Sequence, residues 1–108
     1  MQQSESLLSF VIPTHEPDLI LFDKVLKALT TQSLKSWEAI FVLDGDNKDA
    51  ERAIERAFKK VAQHYKIVVL EHGGAQKARN AGFARATGNY IIFMDSDVVI
   101  EPHAAKMW

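Results

Sequence analysis

The stretch Asn89-Tyr90-Ile91-Ile92-Phe93-Met94-Asp95-Ser96-Asp97 decides the reading of this chain. Its apolar run, rich in isoleucine and aromatics, predicts a β-strand buried on both faces. The run ends in two aspartates one residue apart. Strand side chains alternate, so Asp95 and Asp97 project to one side if strand geometry persists to Asp97. Two carboxylates so placed repel each other, and a hard divalent cation relieves the repulsion. A polar turn that happens to hold two aspartates is the competing explanation, and the rest of the chain has to choose between them.

Upstream, the apolar run Leu7–Ile12 predicts a first strand that ends at Pro13, since proline cannot donate to a sheet ladder. Pro17 suits the first turn of a helix. Phe22, Val25, Leu26 and Leu29 then recur at helical spacing from about Asp18 to Gln32, with Lys24, Lys27, Thr30 and Thr31 on the wet side. Trp37–Leu43 reads as a second strand closed by the turn Asp44-Gly45-Asp46-Asn47. A second helix begins near Asp49, with Ala50, Ile54, Ala57, Phe58 and Val61 as its apolar stripe. Lys66–Leu70 is a third strand. Glu71-His72-Gly73-Gly74 leads into a third helix, Ala75 to Ala86, whose small residues Ala75, Ala78, Ala81 and Gly82 allow close backbone packing. Thr87-Gly88 stops it.

Strands alternating with helices predict an α/β fold, a Rossmann-like three-layer sandwich with a mostly parallel sheet. Right-handed crossovers favour strand order 3-2-1-4. That order reverses between the first and fourth strands, and ligands bind at such a reversal, outside the carboxyl ends of the strands. Pro13, Thr14, His15 and Glu16 follow strand one. Asp44 to Asp46 follow strand two, Gly73 and Gly74 follow strand three, and Asp95 to Asp97 follow strand four. All the polar clusters therefore fall on one edge.

The parts on that edge suit a nucleoside diphosphate with a metal. A helix amino-terminus behind a Gly-Gly turn favours anions. Lys77 and Arg79 add local positive charge, and Asp95 with Asp97 can take Mg2+ or Mn2+. Asp44 can accept hydrogen bonds from a base or ribose. No glycine-rich dinucleotide loop or Gly-Lys-Ser/Thr phosphate loop is present. His15 reads as an exposed loop residue, His64, His72 and His103 as surface residues without metal-ligand spacing, and Trp37 as a packing residue at a strand edge.

Bulk properties narrow the field further. A length of 108 residues supports one domain with one core. Thirteen basic and fourteen acidic residues give a formal net charge of -1, so nothing draws the chain as a whole to nucleic acid or an anionic membrane. There are no cysteines, which excludes a disulfide framework and a thiolate zinc site and fits a reducing, cytoplasmic setting. Residues 1–6 read as a disordered lead-in, and no apolar segment reaches membrane-spanning length.

Taken together, the motifs resemble the N-terminal nucleotide-sugar-binding part of family 2 glycosyltransferases, of the inverting GT-A fold. The resemblance rests on Phe10–Thr14, Val42–Asp49, Gly74–Gly82, Ala86–Tyr90 and Phe93–Asp97, in that order, and covers the chain from Phe10 onward. It implies that Pro13 and Thr14 shape the base pocket, with Glu16 in the same loop. It implies that Asp44 contacts uracil or another base, and that Arg79, near Lys77, lies by base and diphosphate. Asp95 would face the ribose, Asp97 the cation, and Ser96 would sit between them. The donor would be a nucleoside-diphosphate sugar, a UDP-sugar by preference.

One departure touches the base end: Asp44-Gly45-Asp46 stands where the family has Asp-Gly-Ser. The family's catalytic base and acceptor region follow the metal motif. Residues 7–108 are therefore read as a donor-site subdomain truncated before the acceptor-binding half. Its base is expected downstream of Trp108, the isolated chain is expected to be inactive, and the cut edge of its sheet is open to self-association. Two alternatives stay open. Ile91–Val99 also resembles the nucleophile motif of haloacid-dehalogenase-like phosphatases, where the first aspartate attacks phosphorus; that family carries the motif on its first strand. A non-catalytic nucleotide-binding or partner-binding module is the other.

Overall fold

A computed structural model describes residues 7–33 and 36–97. The lead-in expected at residues 1–6 and the segment 98–108 lie outside the described residues. In chain order the elements are β1 (Leu8–Thr14), α1 (Leu19–Thr30), β2 (Trp37–Asp44), α2 (Lys48–Phe58), β3 (His64–Leu70), α3 (Ala75–Arg85) and β4 (Tyr90–Phe93). The four strands form one parallel sheet in the order β3-β2-β1-β4, as the alternation predicts.

Strand alternation sorts the core into two layers. Phe10, Ile12, Ala39, Phe41 and Leu43 face α1 and α2, where Phe22, Val25, Leu26, Leu29, Ile54 and Phe58 are buried against them. These are the apolar positions the helical spacing picked out. Each such aliphatic or aromatic side chain contributes roughly 1.5–3 kcal/mol on burial. Trp37 is part of this layer, edge-on to Phe10 and Phe58. On the other face, Val11, Ile40 and Val42 meet Ala78 of α3. Gly82 is buried there, and a Cβ at that position would collide with Val11 and crowd Val42. That explains the small residues of α3, although Ala75 at its start stays exposed.

The termini of the helices follow their caps. Asp18, not Pro17, opens α1, with its carboxylate accepting the N–H groups of Ile20 and Leu21. The Asn47 side chain accepts the Ala50 N–H at 3.0 Å and starts α2.

Two strand expectations need correction. Pro13 and Thr14 lie inside β1, paired with Val42 and Leu43. The ladder with β4 stops at Val11 opposite Phe93, so the missing N–H of Pro13 breaks no bond on that side. And β4 is short and not buried on both faces. It is an edge strand of the described sheet, with Tyr90 and Phe93 exposed. Strand geometry does not persist to the aspartates: β4 ends at Phe93, and Ser96 and Asp97 lie in a turn. Among the described residues no helix is long and apolar enough to cross a membrane.

Candidate functional site

The alternation that builds the core also aims the site. Glu38, Ile40, Val42 and Asp44 share the α3 face of β2. Asp44 is the last residue of the strand and reaches the turn that opens α3. Its Oδ1 accepts the Gly73 N–H at 2.7 Å, and its Oδ2 accepts the Gly74 N–H at 3.0 Å. Gly74 has φ +95°, a left-handed conformation that a residue with a Cβ resists. The Gly73 N–H is the largest influence on the Asp44 carboxyl and lowers its pKa against the opposing effect of burial; Gly74 and His72 add to the lowering. The carboxylate is thus ionised, buried and largely engaged. Of about four acceptor positions on a carboxylate, one, on Oδ1, is left for a ligand.

Two histidines complete this corner, and both are more than the surface residues the sequence suggests. His15 Nδ1 lies 2.7 Å from the Asp44 carbonyl oxygen, and His72 Nδ1 lies 3.0 Å from Asp44 Oδ2. A carbonyl and an ionised carboxylate only accept, so both Nδ1 atoms carry hydrogen. The rings stack with centroids 4.2 Å apart and planes 13° from parallel. Fifty-seven positions separate the two in the chain, and no spacing rule reveals the pair. They meet because the loops after β1 and β3 flank the end of β2 on either side.

Beside this corner lies a cleft with two ends. One end, about 260 Å³, is lined by Pro13, Thr14, His15, Asp44, His72, Gly74, Arg79 and Asp95, among others. The other, about 350 Å³, is lined by Pro13, His15, Glu16, Pro17, Asp18, Leu21, Asp95, Ser96 and Asp97. Pro13, His15 and Asp95 belong to both ends, so the two are continuous. Of the residues singled out in the sequence, Pro13, Thr14, Glu16, Asp44, Arg79, Asp95, Ser96 and Asp97 all line this cleft. Lys77 does not; it is exposed, and its side chain lies over Gly73. Among the described residues no carboxylate pairs with Arg79.

The acidic end suits a hard divalent ion. Its donors are oxygens from Asp95, Ser96 and Asp97, with Glu16 and Asp18 around the same space. Among the described residues no third carboxylate or histidine groups with Asp95 and Asp97 as a three-ligand set.

Comparison with known proteins agrees with this geometry. The sequence profile of "Glycosyl transferase family 2" matches residues 9–107. Glycosyltransferase GlyA of Streptococcus pneumoniae is 32% identical over 94 residues, covering 87% of this chain and 13% of GlyA. The uncharacterized glycosyltransferase YibD of Escherichia coli is 30% identical, covering 94% of this chain and 29% of YibD. Among solved structures, residues 1–349 of S. aureus TarS in complex with UDP-GlcNAc superpose with a TM-score of 0.83 at 25% identity, covering 94% of this chain and 29% of that one. The same TarS fragment in complex with UDP gives 0.83 at 26%. The chain therefore spans less than a third of the length of each of these relatives. With the profile match extending over almost every residue that builds the sheet and the cleft, the chain belongs to glycosyl transferase family 2, and its fold is the GT-A fold of that family.

Proposed function

We propose that this chain forms the donor site of a glycosyltransferase and binds a nucleoside-diphosphate sugar, a UDP-sugar by preference. The observation that carries the reading is the continuity of the cleft: its acidic end and its Arg79 end share Asp95 and lie at the strand-order reversal between β1 and β4. A diphosphate needs a cation on one side and a base pocket on the other, and this cleft offers residues for both. TarS, similar over 94% of this chain, forms complexes with UDP and with UDP-GlcNAc, which supports a uridine donor.

In this reading Asp97 and Asp95 hold Mn2+ or Mg2+, and Asp95 also reaches the ribose. A cation held there offsets the charge that develops on the departing diphosphate. Arg79 supports the diphosphate and base from the first turns of α3, with Lys77 adding field from outside the cleft. Pro13 and Thr14 form the wall under the base, and Thr14 is fixed by its hydroxyl donating to the Ile12 carbonyl at 3.1 Å. Asp44 acts chiefly by holding the Gly73–Gly74 turn, and offers its remaining acceptor position to the base. The whole protein then transfers the sugar with inversion, and the carboxylate that deprotonates the acceptor follows the metal motif.

Calorimetric titration of UDP, UDP-GlcNAc and GDP, each with and without Mn2+, tests this. Uridine nucleotides should bind more tightly when Mn2+ is present, and Asp97→Ala should remove the Mn2+ dependence. Binding that ignores both Mn2+ and Asp97→Ala, or no nucleotide binding at all, would overturn the proposal.

A further inference from the structure

A second cluster of metal-ligating groups lies in the cleft, away from the aspartate pair. One ligand atom from each of His15, Asp44 and His72 lies within 4.8 Å of the other two, the one such group among the described residues. The three come from three different strand ends, so the sheet itself brings them together.

The protons make this cluster informative. His15 Nδ1 donates to the Asp44 carbonyl, so in a neutral ring Nε2 carries a lone pair. Yet His15 Nε2 lies 3.2 Å from Glu16 Oε2. A lone pair and a carboxylate face each other there, and only a cation between them makes the contact favourable. That cation is either a proton on Nε2 or a metal ion. Glu16 itself has φ +43°, a left-handed backbone that glutamate rarely adopts.

The spacing suits an ion as well as a hydrogen bond. Bonds of about 2.0–2.1 Å place neighbouring ligands of a tetrahedral ion roughly 3.3 Å apart. His15 Nε2 to Glu16 Oε2 is 3.2 Å; His72 Nδ1 to Asp44 Oδ2 is 3.0 Å, and an ion bound there takes the place of the Nδ1 hydrogen, which moves to Nε2 as the ring changes tautomer. The backbone carbonyl that fixes the His15 ring is the kind of outer support that metal-ligating histidines use. Both rings are substantially exposed, with side-chain exposures of 44% and 61%, so an ion reaches them directly from solvent.

We propose that His15, Asp44 and His72, with Glu16 beside the His15 ring, form a site for a borderline divalent ion of the Zn2+, Ni2+ or Cu2+ type. Imidazole with carboxylate selects these ions, whereas the all-oxygen set at Asp95 and Asp97 selects Mn2+ or Mg2+. The same four side chains border the cleft, so an ion held there narrows the end of it that the base would enter. Zinc would then oppose nucleotide binding. That consequence rests on the donor-site reading; zinc binding itself does not.

The test uses the untagged chain, freed of metal and without nucleotide, titrated with Zn2+ by calorimetry and with Co2+ by visible absorption. The expected result is one equivalent bound, with cobalt bands typical of imidazole ligation. His15→Gln and His72→Gln should each weaken binding by more than about tenfold, since even outer-shell changes cost that much. Circular dichroism checks that the variants stay folded, and Asp97→Asn should leave zinc binding unchanged. No Zn2+ binding, equal binding by the histidine variants, or loss in Asp97→Asn alone would each overturn the site.

Discussion

The Asp44 carboxylate accepts the backbone N–H of Gly73 at 2.7 Å, so the last residue of β2 sets the turn that opens α3. Because α3 carries Arg79 into the cleft, a strand-end aspartate positions a cationic residue 35 places later. Asp44→Asn keeps the shape but gives an amide with one acceptor oxygen, which leaves Gly73 or Gly74 without its partner. A charge-assisted bond of this kind is worth about 1.5–3 kcal/mol, and solvent reaching the exposed Gly73 reduces the loss to about 1–2 kcal/mol. Urea denaturation should show that decrease, and uridine-nucleotide affinity should fall with it. An unchanged denaturation midpoint would mean that the turn holds without Asp44.

Glu38 does the same work at the opposite end of the sheet. It is buried near the start of β2 and accepts from the Ser9 hydroxyl at 2.6 Å, the Thr87 N–H at 2.7 Å and the Thr87 hydroxyl at 2.9 Å. Burial alone would raise its pKa. The hydrogen bonds from Ser9 and Thr87, joined by the charge of Lys66, outweigh burial and leave it lowered. A lowered folded pKa means stability that is fully present above the ordinary glutamate value and lost as pH falls through the folded one. The loss begins below about pH 4.3, the unperturbed glutamate value. Glu38→Gln should be less stable at neutral pH, and its stability should fall less steeply in acid than that of the parent. Parallel acid-unfolding curves for the two proteins would count against this account.

Much of this arrangement is legible in the sequence, for reasons that can be named. The spacing of Phe22, Val25, Leu26 and Leu29 reports a helix face because helical geometry is local, and all four are buried. Strand order follows from crossover handedness once strands and helices alternate. The features that escape are those made by partners far apart in the chain. Glu38 looks like a polar interruption in a strand, since Ser9 and Thr87 lie 29 and 49 positions away. His15 and His72 look like unrelated loop residues until β1 and β3 are placed on either side of β2. Pro13 misleads because its cost depends on where a neighbouring strand stops, and the hold of Asp44 on the Gly73–Gly74 turn escapes because its partners lie 29 and 30 positions away.

Glu16 gives the last prediction. Its φ of +43° costs roughly 1 kcal/mol for a residue with a Cβ, and its carboxylate shares the acidic end of the cleft with Asp18, Asp95 and Asp97. Asparagine tolerates the left-handed region better and removes one negative charge from that end. Glu16→Asn should therefore stabilise the metal-free chain by up to about 1 kcal/mol, a rise of roughly 4–8 °C in Tm for a domain of this size. The repulsion it relieves is between exposed groups, so the gain should shrink at high ionic strength, while the part due to backbone strain should not. Zn2+ should reverse the order of stability: it should stabilise the parent through Glu16 and His15 and stabilise the variant less. Thermal melts at two salt concentrations, with and without Zn2+, separate the three contributions. A Tm that falls in Glu16→Asn under every condition would show that the strained loop is held by contacts of the glutamate and not imposed on it.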